Sequence, residues 1–170
     1  MGKILRLKHW QVFLIFLFTM LIGNTTIEGY PTVNDALTLT GTVLFFSILI
    51  AYGHYLYDYL PSNLELNYNL FIINAFLTIG TTIAISVLTE SNEVSFTGIY
   101  ALPGIYICYA VLHTIAFQVK VLKSIELNRE ATLGEYIGLF FGIIFWPFCI
   151  WFIQPRVNRI AREGQAVFEV

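Results

Sequence analysis

Between Leu133 and Ile153 the chain reads L-G-E-Y-I-G-L-F-F-G-I-I-F-W-P-F-C-I-W-F-I. A helix rises about 1.5 Å per residue and the hydrocarbon layer of a bilayer is about 30 Å thick, so about 20 apolar residues in a row mark a crossing. This run has that length and carries one charge, Glu135, at its start. Gly134, Gly138 and Gly142 follow one another at four-residue spacing. On a helix they make a groove down one face, where another backbone can approach closely. Pro147 has no N–H, and its ring crowds the carbonyl four residues back, so a kink is expected near Ile143 to Trp146.

Four more runs lie upstream: approximately 10–27, 36–57, 68–88 and 99–119. The first loses its strongly apolar character at Gly23 and is the weakest. The composition agrees with a lipid setting. The chain has 170 residues, 57% of them hydrophobic and 12% charged, with a mean hydropathy of +0.72. Soluble domains carry about 25% charged residues, and a chain this apolar could not cover its own core in water. The expected fold is an all-α integral membrane protein, a single helical domain over 1–170 built as one bundle of about five transmembrane helices. No linker is long enough to separate domains. Tyr52, Tyr55, Tyr57 and Tyr59, then Tyr100, Trp146 and Trp151, gather at run ends, where amphipathic rings meet headgroups.

Net charge is −2 and the basic residues form no stripe, so nucleic acid is excluded as a partner. Cytoplasmic loops are enriched in Lys and Arg. With five spans and a cytoplasmic N-terminus, six basic residues lie inside (Lys3, Arg6, Lys8, Lys120, Lys123, Arg129) and three outside (Arg156, Arg159, Arg162). The C-terminal trio sits awkwardly. A four-span form without the first run also gives six to three. A form whose fifth run turns back at Pro147 puts all nine inside, but the run is too short for two crossings, and a turn at depth exposes backbone polar groups unless protein covers them. The basic N-terminus before an apolar stretch is read as a retained anchor, since no small-residue cleavage site follows.

Polar residues inside spans are costly and face protein. Asn74, Thr78, Thr82 and Ser86 follow at four-residue steps and form one stripe, read first as helix packing and second as the wall of a polar pathway. His54, Asp58, His113, Lys120 and Glu135 are expected to converge at the cytoplasmic membrane edge. That cluster is read first as an interfacial network, second as a proton or substrate relay, and third as a haem or metal site with His54 and His113 as ligands. No cofactor is expected ahead of that third reading, and no metal. Cys108 and Cys149 read as small apolar core residues. No nucleophile with a base and an orienting acid stands at a recognisable spacing, and no phosphate-binding glycine loop is present.

Pro155 is expected to stop the last helix. The segment W-F-I-Q-P-R-V-N-R-I at Trp151 to Ile160, with L-K-H-W-Q-V-F-L at Leu7 to Leu14, resembles small multi-span bacterial inner-membrane proteins. The resemblance implies a bacterial cytoplasmic membrane, with no activity and no functional residue to carry over. The leading expectation is a non-enzymatic accessory or scaffold subunit that associates through its spans with itself or another membrane protein. A small transporter or channel comes second, and a redox or lipid-modifying membrane enzyme third.

Overall fold

The computed structural model describes residues 3–88, 98 and 101–168. Among them all regular structure is helical. A 3-10 turn, Lys3–Arg6, precedes α1 (His9–Asn24), α2 (Pro31–Tyr57), α3 (Tyr68–Leu88), α4 (Ala101–Leu127), α5 (Leu133–Ile144) and α6 (Trp146–Phe168). Three of these, α2, α3 and α4, are long and apolar enough to cross a membrane. At 16 residues α1 is about 24 Å long, short of the hydrocarbon thickness. A five-span bundle is therefore not what the helix lengths establish.

Several boundaries differ from those read in the sequence: α1 ends at Asn24, short of 27, and α2 opens at Pro31, ahead of 36. The run 133–153 is not one helix: it breaks at Phe145, within the expected kink, into α5 and α6. Pro147 then falls in the first turn of α6, where a missing N–H costs nothing. Pro155 does not stop the helix, because α6 continues to Phe168. Buried Ile153, Gln154, Val157, Ile160 and Ala161 hold the segment on both sides of that proline, and their packing outweighs its helix-breaking cost. Finally, α4 runs on from 119 to Leu127. Val121, Leu122 and Ser124 are buried there, so the charged end of α4 is an amphipathic helix and not a loop. Asn128, at a φ of 51°, closes it in the left-handed conformation that ends helices.

The chain falls into two compact units. The first comprises Met1–Ile15, Ala51–Tyr68 and Ile115–Val170, the second Phe16–Ile50 and Asn69–Thr114. All nine Lys and Arg residues belong to the first: Lys3, Arg6, Lys8, Lys120, Lys123, Arg129, Arg156, Arg159 and Arg162.

Within the second unit α1 meets α2 through glycine. A Cβ on Gly41 would overlap the nitrogen of Gly23 and stand 2.7 Å from the carbonyl oxygen of Thr19. Thr38 Oγ1 donates to the Gly23 carbonyl at 3.2 Å. Small residues let two backbones touch, which drives helix association in lipid. The connection is held by Asn34, whose side chain accepts from the Ile27 N–H at 2.7 Å and donates to the Ile27 carbonyl at 3.1 Å. Gly29, at φ 82°, takes the positive angle this turn needs, and Pro31 opens α2 where its fixed φ suits the first helical position.

Gly41→Ala is expected to destabilise the protein by about 1–3 kcal/mol, the usual cost of overpacking. Gly80→Ala, where a Cβ meets nothing within 4 Å, should be neutral or slightly stabilising by helix propensity. Thermal melts in detergent followed by circular dichroism compare the two. Equal stability of the two variants contradicts the glycine crossing.

Candidate functional site

The densest polar construction lies in the first unit, where the two ends of the chain meet. Gln154 of α6 is fully buried. Its Nε2 donates to the carbonyls of Leu5 at 3.3 Å and Leu7 at 2.9 Å, and to Asn158 Oδ1 at 3.2 Å. Its Oε1 accepts from the hydroxyl of Tyr52 on α2 at 2.9 Å. One amide thus ties α6 to the chain before α1 and to the end of α2, with both of its polar atoms partnered. Nearby, Trp151 packs on Phe13 with ring centroids 5.1 Å apart and on His9 at 6.1 Å. The segments from Leu5 to Phe13 and from Trp151 to Asn158 thus clasp each other.

A second node is Glu126, near the end of α4. Its side chain is 10% exposed and faces three cations: Lys123 at 3.1 Å, Arg156 at 3.6 Å and Arg159 at 3.8 Å. Two of them come from α6, so the carboxylate holds that helix beside α4. The α4–α5 connection is fastened in turn. Ser124 Oγ accepts from the buried Ala131 N–H at 3.0 Å, and Lys120 pairs with Glu130 at 2.5 Å.

The inner-edge cluster expected from the sequence is dispersed among other partners. His54 is exposed, with Nδ1 at 2.5 Å from the Tyr68 hydroxyl. Tyr68 stacks on Tyr57 with centroids 4.6 Å apart, and Asp58 is exposed close by. Lys120 goes to Glu130, and Glu135 goes to Arg129 and Thr132. His113 belongs to the second unit, where its ring lies 5.6 Å from that of Tyr109. Among the described residues no three of His, Cys, Asp and Glu come together as a metal site.

Glu135 opens α5. It accepts from the Thr132 N–H at 2.8 Å, from the Thr132 hydroxyl at 2.9 Å, and from both guanidinium nitrogens of Arg129. The Arg129 contact, then the two from Thr132, pull its carboxyl down to about 2. The same pair raises Arg129, and Lys120 lowers Glu130.

The stripe on α3 faces inward at Asn74 and Thr78, which are buried, and half-inward at Thr82 and Ser86. The threonines do not reach across helices. Thr78 donates to the Asn74 carbonyl and Thr82 to the Thr78 carbonyl, each at 2.8 Å. Among the described residues Asn74 alone of the stripe reaches another helix, its Oδ1 accepting from Tyr106 at 3.1 Å. Among the described residues the buried Nδ2 of Asn74 has no acceptor. The glycine face of α5 is used unevenly. A Cβ on Gly142 would contact Cys149 of α6 at 3.3 Å, whereas Gly134, Gly138 and Gly80 have nothing within 4 Å. Cys108, expected in the core, is exposed.

Gln154, Glu126 and the Gly23–Gly41 crossing escaped the sequence reading. Their signals were there: a lone glutamine closing an apolar run, a glutamate between basic residues, and Thr19 four residues before Gly23. No protein family, curated protein or solved structure matches this chain.

Two predictions follow from this geometry. Gln154→Leu strands the carbonyls of Leu5 and Leu7 and leaves the Tyr52 hydroxyl only the Ile4 carbonyl at 3.4 Å, at about 1–3 kcal/mol for each buried group left unpaired. It should loosen the N-terminus, seen as faster proteolysis before Trp10. Unchanged cleavage contradicts the clasp. For Glu135 the folded protein favours the carboxylate, so its contribution is complete above the ordinary value of about 4.3 and is lost as pH falls from there toward about 2. The protection factor for hydrogen exchange at the start of α5, the observed rate relative to the intrinsic one at each pH, should stay constant from pH 7 to 5 and fall below pH 4. Glu135→Gln should remove that pH dependence.

Proposed function

We propose that this chain is a multi-pass protein of a bacterial cytoplasmic membrane, N-terminus in the cytoplasm, acting as a non-catalytic subunit that associates with a second membrane-embedded chain. Lipid is the surrounding medium on this reading. Phe76 is 72% exposed on α3 and Leu102 68% on α4, and such faces are stable among acyl chains. The partition of all nine basic residues into one unit supports orientation by the excess of cytoplasmic Lys and Arg.

The observation that carries association is the unfilled part of the glycine face. Gly142 is spent on Cys149, while Gly134 and Gly138 stand open next to exposed Leu133 and Phe141. In lipid, a small-residue face gains only when another helix fills it. Gly138→Leu is expected to keep the fold, since no neighbour lies where its side chain begins, and to shift the complex to the monomer. Crosslinking in native membranes and light scattering in mild detergent read the change. A variant that unfolds, or one whose assembly is untouched, contradicts the reading.

A further inference from the structure

We propose that α5 and α6 form a re-entrant hairpin that dips into the cytoplasmic leaflet and returns, seating the outward face of α6 on anionic phospholipid. The inference rests on the cytoplasmic N-terminus proposed above.

The fold-back is visible in distances. A Cβ on Gly142 would lie 4.0 Å from Ile153 Cδ1, though eleven residues of continuous helix would part them by about 16 Å. Leu139 and Val157, which straight helix would set about 27 Å apart, line one cavity of about 20 Å³. With 12 residues α5 reaches about 18 Å, too little to cross about 30 Å of hydrocarbon. The run is too short for two crossings but long enough for a dip and return. At the turn the Phe145 N–H donates to the Phe141 carbonyl at 2.9 Å, and Pro147 has no N–H to leave bare, so fewer backbone groups stand open at depth. Ile144 and Phe145 at the tip are exposed and apolar.

The return leg ends among groups that belong at the cytoplasmic surface. Gln154 holds the carbonyls of Leu5 and Leu7, ahead of α1, and Arg156 and Arg159 face Glu126 near the end of α4. With α1 taken as the first of four passes before α5, its short helix extended by Thr25 to Ile27, all nine basic residues lie on one side, which removes the six-to-three conflict of a crossing fifth helix.

The outward face of α6 fits lipid. At 100° per residue, Trp151, Phe152, Pro155, Arg159 and Arg162 fall within an arc of about 100°, and all are exposed. Ile153, Gln154, Val157, Ile160 and Ala161 occupy the opposite, buried side. The aromatics come first. The arginines follow about 12–16 Å further along, the order in which a helix leaving the membrane meets acyl chains, then phosphates. Arg159 remains 62% exposed despite its loose pairing with Glu126, so its guanidinium is open to a phosphate. Each such arginine is worth about a fivefold preference for an anionic surface.

The test uses the full chain with Cys108 and Cys149 replaced by alanine. Gln165→Cys should react with an impermeant maleimide only in inverted membrane vesicles. Reaction from outside intact cells overturns the hairpin. Ser62→Cys in the same assay reports separately the side of the α2–α3 connection, which is cytoplasmic when the N-terminus is inside and α1 crosses. Its labelling from outside overturns the orientation proposed above, and with it this inference. In proteoliposomes, a fluorophore on Phe152→Cys should be quenched by nitroxides on the upper acyl chain and not by nitroxides at the chain end. The reverse pattern places α6 across the bilayer and overturns the hairpin. The upper-chain nitroxide should quench more when carried on phosphatidylglycerol than on phosphatidylcholine, and Arg159→Gln with Arg162→Gln should erase the difference. Equal quenching in the parent protein overturns the lipid assignment.

Discussion

A buried amide with every polar atom partnered is what the first unit depends on. Gln154 sits at zero exposure among Ile150, Ile153 and Val157, where an unpartnered amide would cost about 1–3 kcal/mol or more. Its four hydrogen bonds reach the chain before α1, the end of α2 and the next turn of α6. Apolar contact cannot specify a register when lipid tails are equally good neighbours. A hydrogen-bonded amide can, because a slip of one residue would leave it bare. Glu126 plays the same part electrostatically between α4 and α6.

The second unit uses a different device. Gly23 and Gly41 bring α1 and α2 into backbone contact, and Thr38 adds a hydrogen bond to a helical carbonyl. On α3 the threonines satisfy their hydroxyls on their own helix. Polar residues that looked like a lattice of interhelical bonds thus cost little in lipid and contribute little to association. Among the described residues Asn74 is the one member of the stripe bonded to another helix, through Tyr106.

Much of the helical framework was legible in the sequence, because length and hydropathy decide it. The starts of α3 at Tyr68 and α5 at Leu133 coincide with run boundaries, and the break at Phe145 falls where Pro147 put it. What hydropathy cannot show is amphipathic helix beyond a span: Lys120 to Leu127 and Arg156 onward look like loop by charge, yet each buries a stripe. Nor can it pair ions. His54, Lys120 and Glu135 each have a nearer partner in Tyr68, Glu130 and Arg129, and choosing among neighbours requires the turn geometry set by Asn128 and Ser124.

The glycine triplet shows how one sequence pattern can serve two purposes. A groove of three glycines invites a single partner along its whole length. Here the break at Phe145 turns α6 back so that Cys149 fills the groove at Gly142, and the last glycine becomes the pivot of a helical hairpin. Among the described residues the first two stay open, with nothing within 4 Å of a Cβ at either. A straight helix would have offered all three to another chain and sent Arg156, Arg159 and Arg162 to the far side of the bilayer. The proline that breaks the run thus shortens the association face and, on the re-entrant reading, decides on which side the C-terminal arginines lie.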